Sequence, residues 1–170
     1  MTEDIGNSLS VNKLWDKWVL WTHLPHDTSW SLDSYKSVMS FDTVESAITL
    51  TEYLPDKMII NCMLFIMREG IKPTWEDERN RKGGSFSYKV PNKNAPSVWR
   101  DLTYSLVGET LSSNNELQKN INGITISPKK NFCIIKIWTA DSNIKKADSI
   151  ININGLSNSS SIFKKHNPEY

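Results

Sequence analysis

The pair Trp75-Glu76 carries the chemistry needed to bind a purine base. The indole of Trp75 offers a flat, electron-rich face for stacking, and the carboxylate of Glu76 can accept two parallel hydrogen bonds. Guanine presents two donors side by side, its ring N1–H and its exocyclic amine. Because methylation at N7 makes guanine cationic, stacking on an indole then gains a cation–π energy of about 0.5–2 kcal/mol. The pair therefore suits a methylated guanine.

The alternative for this pair is that the tryptophan packs in a loop and the acid is solvated, which is the commoner use of both residue types. A second tryptophan on the opposite face of the base would favour recognition, because it would add a second cation–π contact. The chain has seven tryptophans in 170 residues, so candidates for that second ring exist. The surrounding sequence has to decide between the alternatives.

Charge and composition exclude several classes of protein. Lys plus Arg number 20 and Asp plus Glu 19, so any contact with nucleic acid must be local and cannot rest on bulk charge. Cys62 and Cys133 lie in apolar runs, which favours buried free thiols in a reducing compartment over a disulfide. No apolar run reaches about 18 residues. Residues 1–10 lack the pattern of a secretory signal. We therefore expect a cytoplasmic protein without membrane contact.

The chain is expected to form one domain. Its 170 residues suffice for a single core, and residues 1–11 lack periodicity, so we expect a flexible tail at 1–11 and a domain at 12–170. The sequence is rich in Asn, Lys, Ile and Ser, especially after Ser112. This bias is typical of an A/T-rich genome, such as that of a virus or a protist. A viral source would place the protein in the host cytoplasm.

The elements that must position Trp75 and Glu76 alternate between strand and helix patterns. Aromatic and β-branched residues indicate strands, and two of these are expected to pair as a hairpin across 127–131. Apolar residues at helical spacing indicate three helices. No Gly-rich phosphate loop interrupts them, which predicts an α+β fold with helices on one face of a mostly antiparallel sheet. The predicted strands are 14–21, 58–68, 85–90, 121–126, 132–139 and 162–163.

The predicted helices carry recognisable start signals. Asp42 and Glu45 form a capping box before a helix at 43–53, which Pro55 closes. Proline is common at the first position of a helix. The remaining signals are Pro96 before a helix at 97–109, and Asp141 or Ser142 before a third helix containing Ile144, Ala147 and Ile151.

The loop around Trp75 and Glu76, GIKPTWEDERNRKGG at 70–84, closely resembles the cap-binding loop of the translation initiation factor 4E family. Five further motifs follow the family order, and the resemblance runs from about residue 14 to 166. It implies a cupped, strongly curved antiparallel sheet of about eight strands with three α-helices on its convex back. The five motifs are WVLW at 18–21, TSW at 28–30, FDTVE at 41–45, WRDLTYSLVGE at 99–109 and IWT at 137–139.

The resemblance implies a role for each residue of the base site. Trp30 and Trp75 would stack on the two faces of 7-methylguanosine, the mRNA cap, and Glu76 would accept from the edge of the guanine. The main-chain N–H of Trp75 would donate to the base O6, and Trp138 would touch the N7-methyl group. The alternative for each tryptophan is core packing, which is the role expected for Trp18, Trp21 and Trp99.

The triphosphate end departs from the family pattern. The family carries basic residues on the strand pair ahead of IWT, and here the candidates are Lys129 and Lys130 in the hairpin turn and Lys136 on the following strand. Arg81 is a further candidate beside the Gly pair. The alternative for the turn lysines is solvation. His166 matches the family's loop that contacts the second nucleotide.

The helical back surface departs further. In the family, a partner helix with a Tyr-x-x-x-x-Leu motif docks there on a Val, a Trp and two Leu. Here an arginine replaces an apolar residue, which costs binding unless its charge is paired. We therefore expect weak binding of conventional partners and a scaffold or repressor protein with an altered or acidic motif. In this chain Val44 is retained, Ile48 replaces the Trp, Arg100 and Tyr104 occupy the two Leu positions, and Asp101 keeps an acidic residue where a Glu is usual.

Three functions were weighed. The first is a monomeric, non-catalytic protein that binds capped mRNA and promotes translation initiation, with no cofactor or metal. The second is a repressor that sequesters the cap without recruiting the scaffold, and the altered back surface favours it. The third is a cap hydrolase, which needs clustered metal-binding carboxylates or a nucleophile–base pair. Glu76, Asp77 and Glu78 are adjacent in sequence, so their side chains diverge and argue against an enzyme.

Overall fold

The computed structural model describes residues 10–170, which leaves most of the predicted tail outside. Seven strands within this range form one sheet, in which every neighbouring pair is antiparallel. The strands are β1 (Lys13–His23), β2 (Tyr35–Thr43), β3 (Met63–Arg68), β4 (Gly84–Pro91), β5 (Ile121–Pro128), β6 (Phe132–Thr139) and β7 (Ile162–Lys165). Their order across the sheet is β2-β1-β3-β5-β6-β4-β7. The predicted β5–β6 hairpin is confirmed.

Four α-helices contribute residues to the main core on one face of the cupped sheet, so the predicted α+β fold is confirmed. They are α1 (Val44–Tyr53), α2 (Asp56–Asn61), α3 (Ala95–Val107) and α4 (Asn115–Asn120). The described residues thus hold one strand fewer and one helix more than the resemblance implies. None of the helices within 10–170 is long and apolar enough to cross a membrane.

The two faces of the sheet carry separate apolar clusters. Strand alternation sends Cys133, Ile135 and Ile137 into the large cluster beneath the helices. Trp18 and Trp99 are buried in that cluster, as expected. A smaller cluster on the opposite, concave face consists of Phe65, Met67, Ile71 and Trp138. Trp21 packs against this smaller cluster and not in the main core. Cys62 and Cys133 are free thiols, as expected.

The capping box predicted at Asp42 and Glu45 is wrong. Thr43 is the N-cap of α1, and its hydroxyl accepts from the main-chain N–H of Ser46. The side chain of Asp42 instead pairs with Lys13 at 2.8 Å. Glu45 accepts from the N-terminal side of β1, at the amide of Asn12. The helix therefore has a local capping box, but it forms between Thr43 and Ser46, one residue later than the spacing suggested.

Two other predictions are wrong, and two elements were missed. Residues 58–68 do not form one strand, because α2 occupies the first part of this run and β3 only the second. The third predicted helix is reduced to a 3-10 turn at Ala147–Ser149. Asp141, its expected cap, accepts from Asn120 and from the amide of Asn143. The missed elements are β2 and α4.

Candidate functional site

A cavity of about 370 Å³ opens on the concave face of the sheet. Four of its lining residues are the ones predicted for base recognition, namely Trp30, Trp75, Glu76 and Trp138. They come from three separate parts of the chain, namely the loop after β1, the loop between β3 and β4, and strand β6. Only Trp75 and Glu76 are neighbours in sequence. The fold therefore brings the predicted base site together.

The loop that presents Trp75 and Glu76 is held from within by Asn80, whose side chain is fully buried. Its Nδ2 donates to the carbonyl oxygens of Lys72 and Thr74, each at 2.9 Å. Both donors of that amide are used on the backbone that leads into Trp75. Because buried backbone groups must be hydrogen-bonded, these contacts fix the course of the loop.

Two further residues extend this bracing. The carboxylate of Asp77 accepts from the main-chain N–H of Lys72 and of Arg79, which closes the loop on itself. Asn122 on β5 donates its Nδ2 to Asn80 Oδ1 at 2.9 Å, which ties the loop to the sheet. No local pattern in the sequence marks Asp77, Asn80 or Asn122 as a brace of this loop.

His166 lies behind Trp75 and Trp138 and does not line the cavity. Its imidazole is stacked on Trp75, with ring centroids 5.6 Å apart, and tilted against Trp138 at 4.9 Å. Nδ1 is 2.7 Å from the carbonyl oxygen of Asn80, which can only accept, so Nδ1 carries the proton. Nε2 then accepts from the hydroxyl of Ser85 at 2.8 Å. His166 is therefore a buried support of the base site and does not stand in an exposed loop.

Burial lowers the pKa of His166 from its usual value, and nearby Lys136 lowers it further. The carbonyl of Asn80 and the carboxylate of Glu76 oppose this shift but do not overcome it. The imidazole is therefore neutral at neutral pH. A neutral ring behind Trp75 adds no positive charge beside a cationic base.

Trp30 is supported in a similar way at the other side of the cavity. Its indole is stacked on His23, with ring centroids 4.2 Å apart and an interplanar angle of 10°. His23 in turn lies within hydrogen-bonding distance of the carbonyl oxygen of Ser29, at 2.7 Å. Trp30 itself remains 61% exposed, so its second face is free for a ligand.

The floor of the cavity is aromatic. Trp138 is only 4% exposed, and Phe65 meets it edge-on at 6.4 Å. Phe65 also meets Tyr35 edge-on at 5.5 Å. Burial, with the negative charge of Glu76, raises the pKa of Tyr35 to about 12, so its hydroxyl keeps its proton. Trp138 is therefore a part of the floor that a ligand in the cavity would contact.

A second cavity, of about 460 Å³, continues from the first toward the β5–β6 turn. Trp30 and Lys136 line both cavities, and Lys129 lines the second. Burial lowers the pKa of Lys136, and the charges of Lys164 and Lys129 lower it further. An anion placed among these lysines would relieve that repulsion.

Two of the predicted phosphate residues lie elsewhere. Lys130 is exposed in the turn and lines neither of the two cavities. The guanidinium of Arg81 donates to the main-chain oxygens of Glu76 and Tyr170, at 3.4 and 2.8 Å, so it supports the loop from outside. Within residues 10–170, no group of three or more His, Cys, Asp or Glu side chains is placed to hold a metal ion.

Lys164 is a basic residue of this face that the sequence analysis missed. Ser85 pairs with Trp138 on one side and with Lys164 on the other, so the three side chains share the concave face. The Nζ of Lys164 is 5.8 Å from the ring centroid of Trp75. The segment Ile162–Lys165 is too short to show by alternation which residue faces the site.

On the helical back, the charge of Arg100 is paired. Its Nη2 lies 2.5 Å from the carboxylate of Asp56, and its guanidinium also donates to the carbonyl oxygens of Thr51 and Leu54 at the end of α1. The hydroxyl of Tyr104 donates to Glu52 at 2.9 Å. Asp101 is exposed, and Val44 and Ile48 are the partly exposed apolar residues of this surface.

The architecture and the cavity together define a class of protein: an α+β domain whose cupped antiparallel sheet carries an aromatic site on its concave face. Residues 13–167 match the family model of eukaryotic initiation factor 4E. The chain belongs to this family.

Individual relatives agree with this assignment. The chain is 32% identical over 130 residues to eukaryotic translation initiation factor 4E of Saccharomyces cerevisiae, which covers 72% of this chain and 59% of the yeast protein. It is 47% identical over 62 residues to the 4E homolog of Acanthamoeba polyphaga mimivirus, covering 36% of this chain and 23% of the viral protein. A solved complex of C. elegans eIF4E-3 with the 4E-binding protein Mextli and a cap analog gives a TM-score of 0.71 at 27% identity, covering 82% of this chain and 78% of that one. The chain spans about three fifths of the yeast relative.

Proposed function

We propose that the chain binds the 7-methylguanosine cap of mRNA in the concave cavity. The observation that carries this proposal is the convergence of Trp30, Trp75 and Glu76 on one cavity from separate loops. The methylated base would stack between the two indoles, and each contact would gain a cation–π energy of about 0.5–2 kcal/mol. The C. elegans relative, solved with a cap analog, supports the same ligand class.

Glu76 would select guanine through its paired donors, N1–H and the exocyclic amine. Among residues 10–170, its carboxylate accepts only a long contact, 3.4 Å, from the main-chain N–H of Glu169, so the incoming base would replace a weak interaction. The main-chain N–H of Trp75 would donate to O6, and Trp138 on the floor would touch the N7-methyl group. The braced loop supports this role because it holds the two reading residues in fixed positions.

The triphosphate would extend into the second cavity. Lys136, at the junction of the two cavities, and Lys129, nearer the turn, are the residues that reach it. Lys164 would add charge from β7. A lysine ammonium acts as a point charge, whereas an arginine guanidinium can donate two parallel hydrogen bonds to one phosphate. Phosphate binding by these lysines would therefore depend strongly on salt. Lys130 and Arg81 would contribute less, because they face away from this path.

The role that follows is non-catalytic and cytoplasmic: recognition of capped mRNA, by a monomer, during translation initiation. A scaffold or repressor protein would dock on the helical back. Its motif would differ from the conventional one because Arg100 occupies an apolar position and holds its charge through Asp56. A second candidate, a repressor that sequesters the cap, is favoured by the same altered surface. His166 would have no separate role in second-nucleotide binding.

Retention on a 7-methylguanosine matrix tests the base site. We expect Trp75→Ala and Glu76→Gln to abolish retention, because each removes a contact that the base needs. Matched controls are Trp15→Ala, since Trp15 is 89% exposed and lines a different surface, and Glu78→Gln, since Glu78 is exposed on the same loop. Retention of the Trp75 and Glu76 variants at the wild-type level would place the site elsewhere.

A pull-down against a peptide with the conventional Tyr-x-x-x-x-Leu motif distinguishes the two roles. We expect weak capture by the wild-type chain, and stronger capture by Arg100→Leu, because leucine restores an apolar surface at the position of the guanidinium. Asp101→Asn serves as a control for charge alone. Tight capture by the wild-type chain would contradict both the altered motif and the repressor.

A further inference from the structure

The concave face continues past the cap cavity along β6 and β4. Cys133, Ile135 and Ile137 point into the main core, so Phe132, Ile134, Lys136 and Trp138 line the opposite face. Across the sheet, Ile134 pairs with Lys89, and Phe132 pairs with Pro91. At about 3.3 Å per residue, Phe132 lies roughly 20 Å along the strand from Trp138. Any part of a bound ligand that contacts Phe132 must therefore lie beyond the methylated base.

The second cavity ends beside this point, although Phe132 and Lys89 do not line it. It leads from Lys136 to Ser127, Pro128 and Lys129, which form the approach to the hairpin turn. The main-chain N–H of Lys129 donates to the carbonyl oxygen of Phe132 at 2.8 Å, so the two residues face each other across the turn. A triphosphate held by Lys136 and Lys129 would therefore deliver the following nucleotides next to Phe132.

Phe132 and Lys89 form an aromatic and cationic pair at this end of the face. The Nζ of Lys89 lies over the ring of Phe132, 4.3 Å from its centroid, so a base that stacks on this face must displace the ammonium. The ring is only partly buried and the lysine is exposed. Single-stranded nucleic acids are bound by this combination, in which a ring stacks on a base and a cation contacts the adjoining phosphate. The net charge of the chain is only +1, so the lysines on this face are a local concentration of charge.

We propose that Phe132 and Lys89 form a stacking platform for a base of the transcript just beyond the cap triphosphate. The proposal rests on the proposed cap binding, because the cap sets the direction and register of the RNA. It makes the protein a receptor for capped RNA and not for the cap nucleotide alone. Sequence preference at the platform is expected to be low, because every base has a face that can stack.

Titration with two ligands tests the platform. The ligands are 7-methylguanosine triphosphate and a short capped oligoribonucleotide. We expect Phe132→Ala to weaken binding of the capped oligonucleotide on the order of 10-fold and to leave binding of the triphosphate unchanged. Phe132→Leu, which keeps apolar volume without a ring, should give the same result if the alanine variant unfolds. Phe132→Tyr should keep wild-type affinity for both ligands.

A capped oligonucleotide with abasic residues after the cap completes a double-mutant cycle. The wild-type chain should bind it as weakly as Phe132→Leu binds the normal oligonucleotide, and the substitution should cause no further loss. Lys89→Ala should weaken capped RNA binding, whereas Lys119→Ala, at an exposed position of α4 that lines neither cavity, should not. Equal losses for both ligands, or no loss for capped RNA, would overturn the platform. Failure of the wild-type chain to bind 7-methylguanosine triphosphate would instead contradict the proposed function.

Discussion

The two ends of the candidate cap site are built differently. Around Trp75, buried polar side chains fix the loop: Asn80 bonds to its backbone, and His166 stacks behind the indole. At the phosphate end, Lys129 stands on a turn and only Lys136 is partly buried. Under the proposed function, base identity would be read by fixed geometry, while phosphates would be held by adaptable point charges.

Among the substitutions at the base end, Asn80→Ala is expected to have the largest effect on stability and on cap binding. This change leaves the carbonyls of Lys72 and Thr74 without their buried partner, at about 1–3 kcal/mol for each unsatisfied group. We expect a lower free energy of unfolding in urea and loss of retention on a 7-methylguanosine matrix. Asn131→Ala, in the exposed β5–β6 turn, is the control and should change neither. Full cap binding by the Asn80 variant would show that the loop needs no internal brace.

Acid should weaken the base end through His166. Burial lowers the pKa of His166 in the folded chain, while the unfolded chain takes up its proton near pH 6.5. The stability that the neutral ring provides is therefore complete above about pH 6.5 and declines as the pH falls toward the lowered pKa. Protonation would also remove the acceptor for Ser85 and place a cation behind Trp75.

Cap affinity and the free energy of unfolding, measured between about pH 7.5 and 5, should both fall with acid in the wild-type chain. We expect His166→Gln to show a flatter pH dependence, with lower affinity at neutral pH. His26→Gln, at an exposed loop position, should follow the wild-type curve. Since the ligand titrates equally in all three experiments, its own protonation cancels. If His166→Gln and the wild-type chain show the same pH dependence, the imidazole of His166 is not its cause.

The phosphate end should respond in small, graded steps. We expect Lys136→Ala to weaken binding of the triphosphate most, Lys129→Ala by about 0.2–1 kcal/mol, and Lys130→Ala hardly at all, because exposed charges contribute little. None should affect binding of the 7-methylguanosine nucleoside. The dependence of affinity on salt should decrease by about one ion for each effective lysine. Equal losses for nucleoside and triphosphate would contradict a phosphate role.

Local signals in the sequence predicted some elements well. The β5–β6 hairpin and α3 follow from alternation and helical spacing over neighbouring residues, and Trp75-Glu76 is recognisable because both residues stand in one motif. The interpretation of 58–68 as one strand failed because Ile59 and Ile60 are residues typical of strands, although α2 begins directly after Pro55. The packing of α2 against α3 outweighs the local preference of these residues for a strand.

Other features depend on contacts between distant parts of the chain. Asn80 meets Asn122 and His166 across 42 and 86 residues, and no local pattern marks any of the three as a partner of Trp75. Asp42 pairs with Lys13 from another strand, a contact that the sequence around the helix start does not reveal. Lys164 could be assigned to the site only from the β4–β7 register. These residues were missed because their roles exist only in the folded chain.

The pairing of β7 with β4 also orders events during synthesis. Domains fold as the chain emerges from the ribosome, and the amide of His166 reaches its partner, the carbonyl of Gly83, only through this late strand. A nascent chain that has released Trp30, Trp75 and Trp138 would still lack the imidazole behind them. The candidate site would thus be complete only after residue 166 has left the ribosome, later than any of the three tryptophans that the imidazole and its neighbours support.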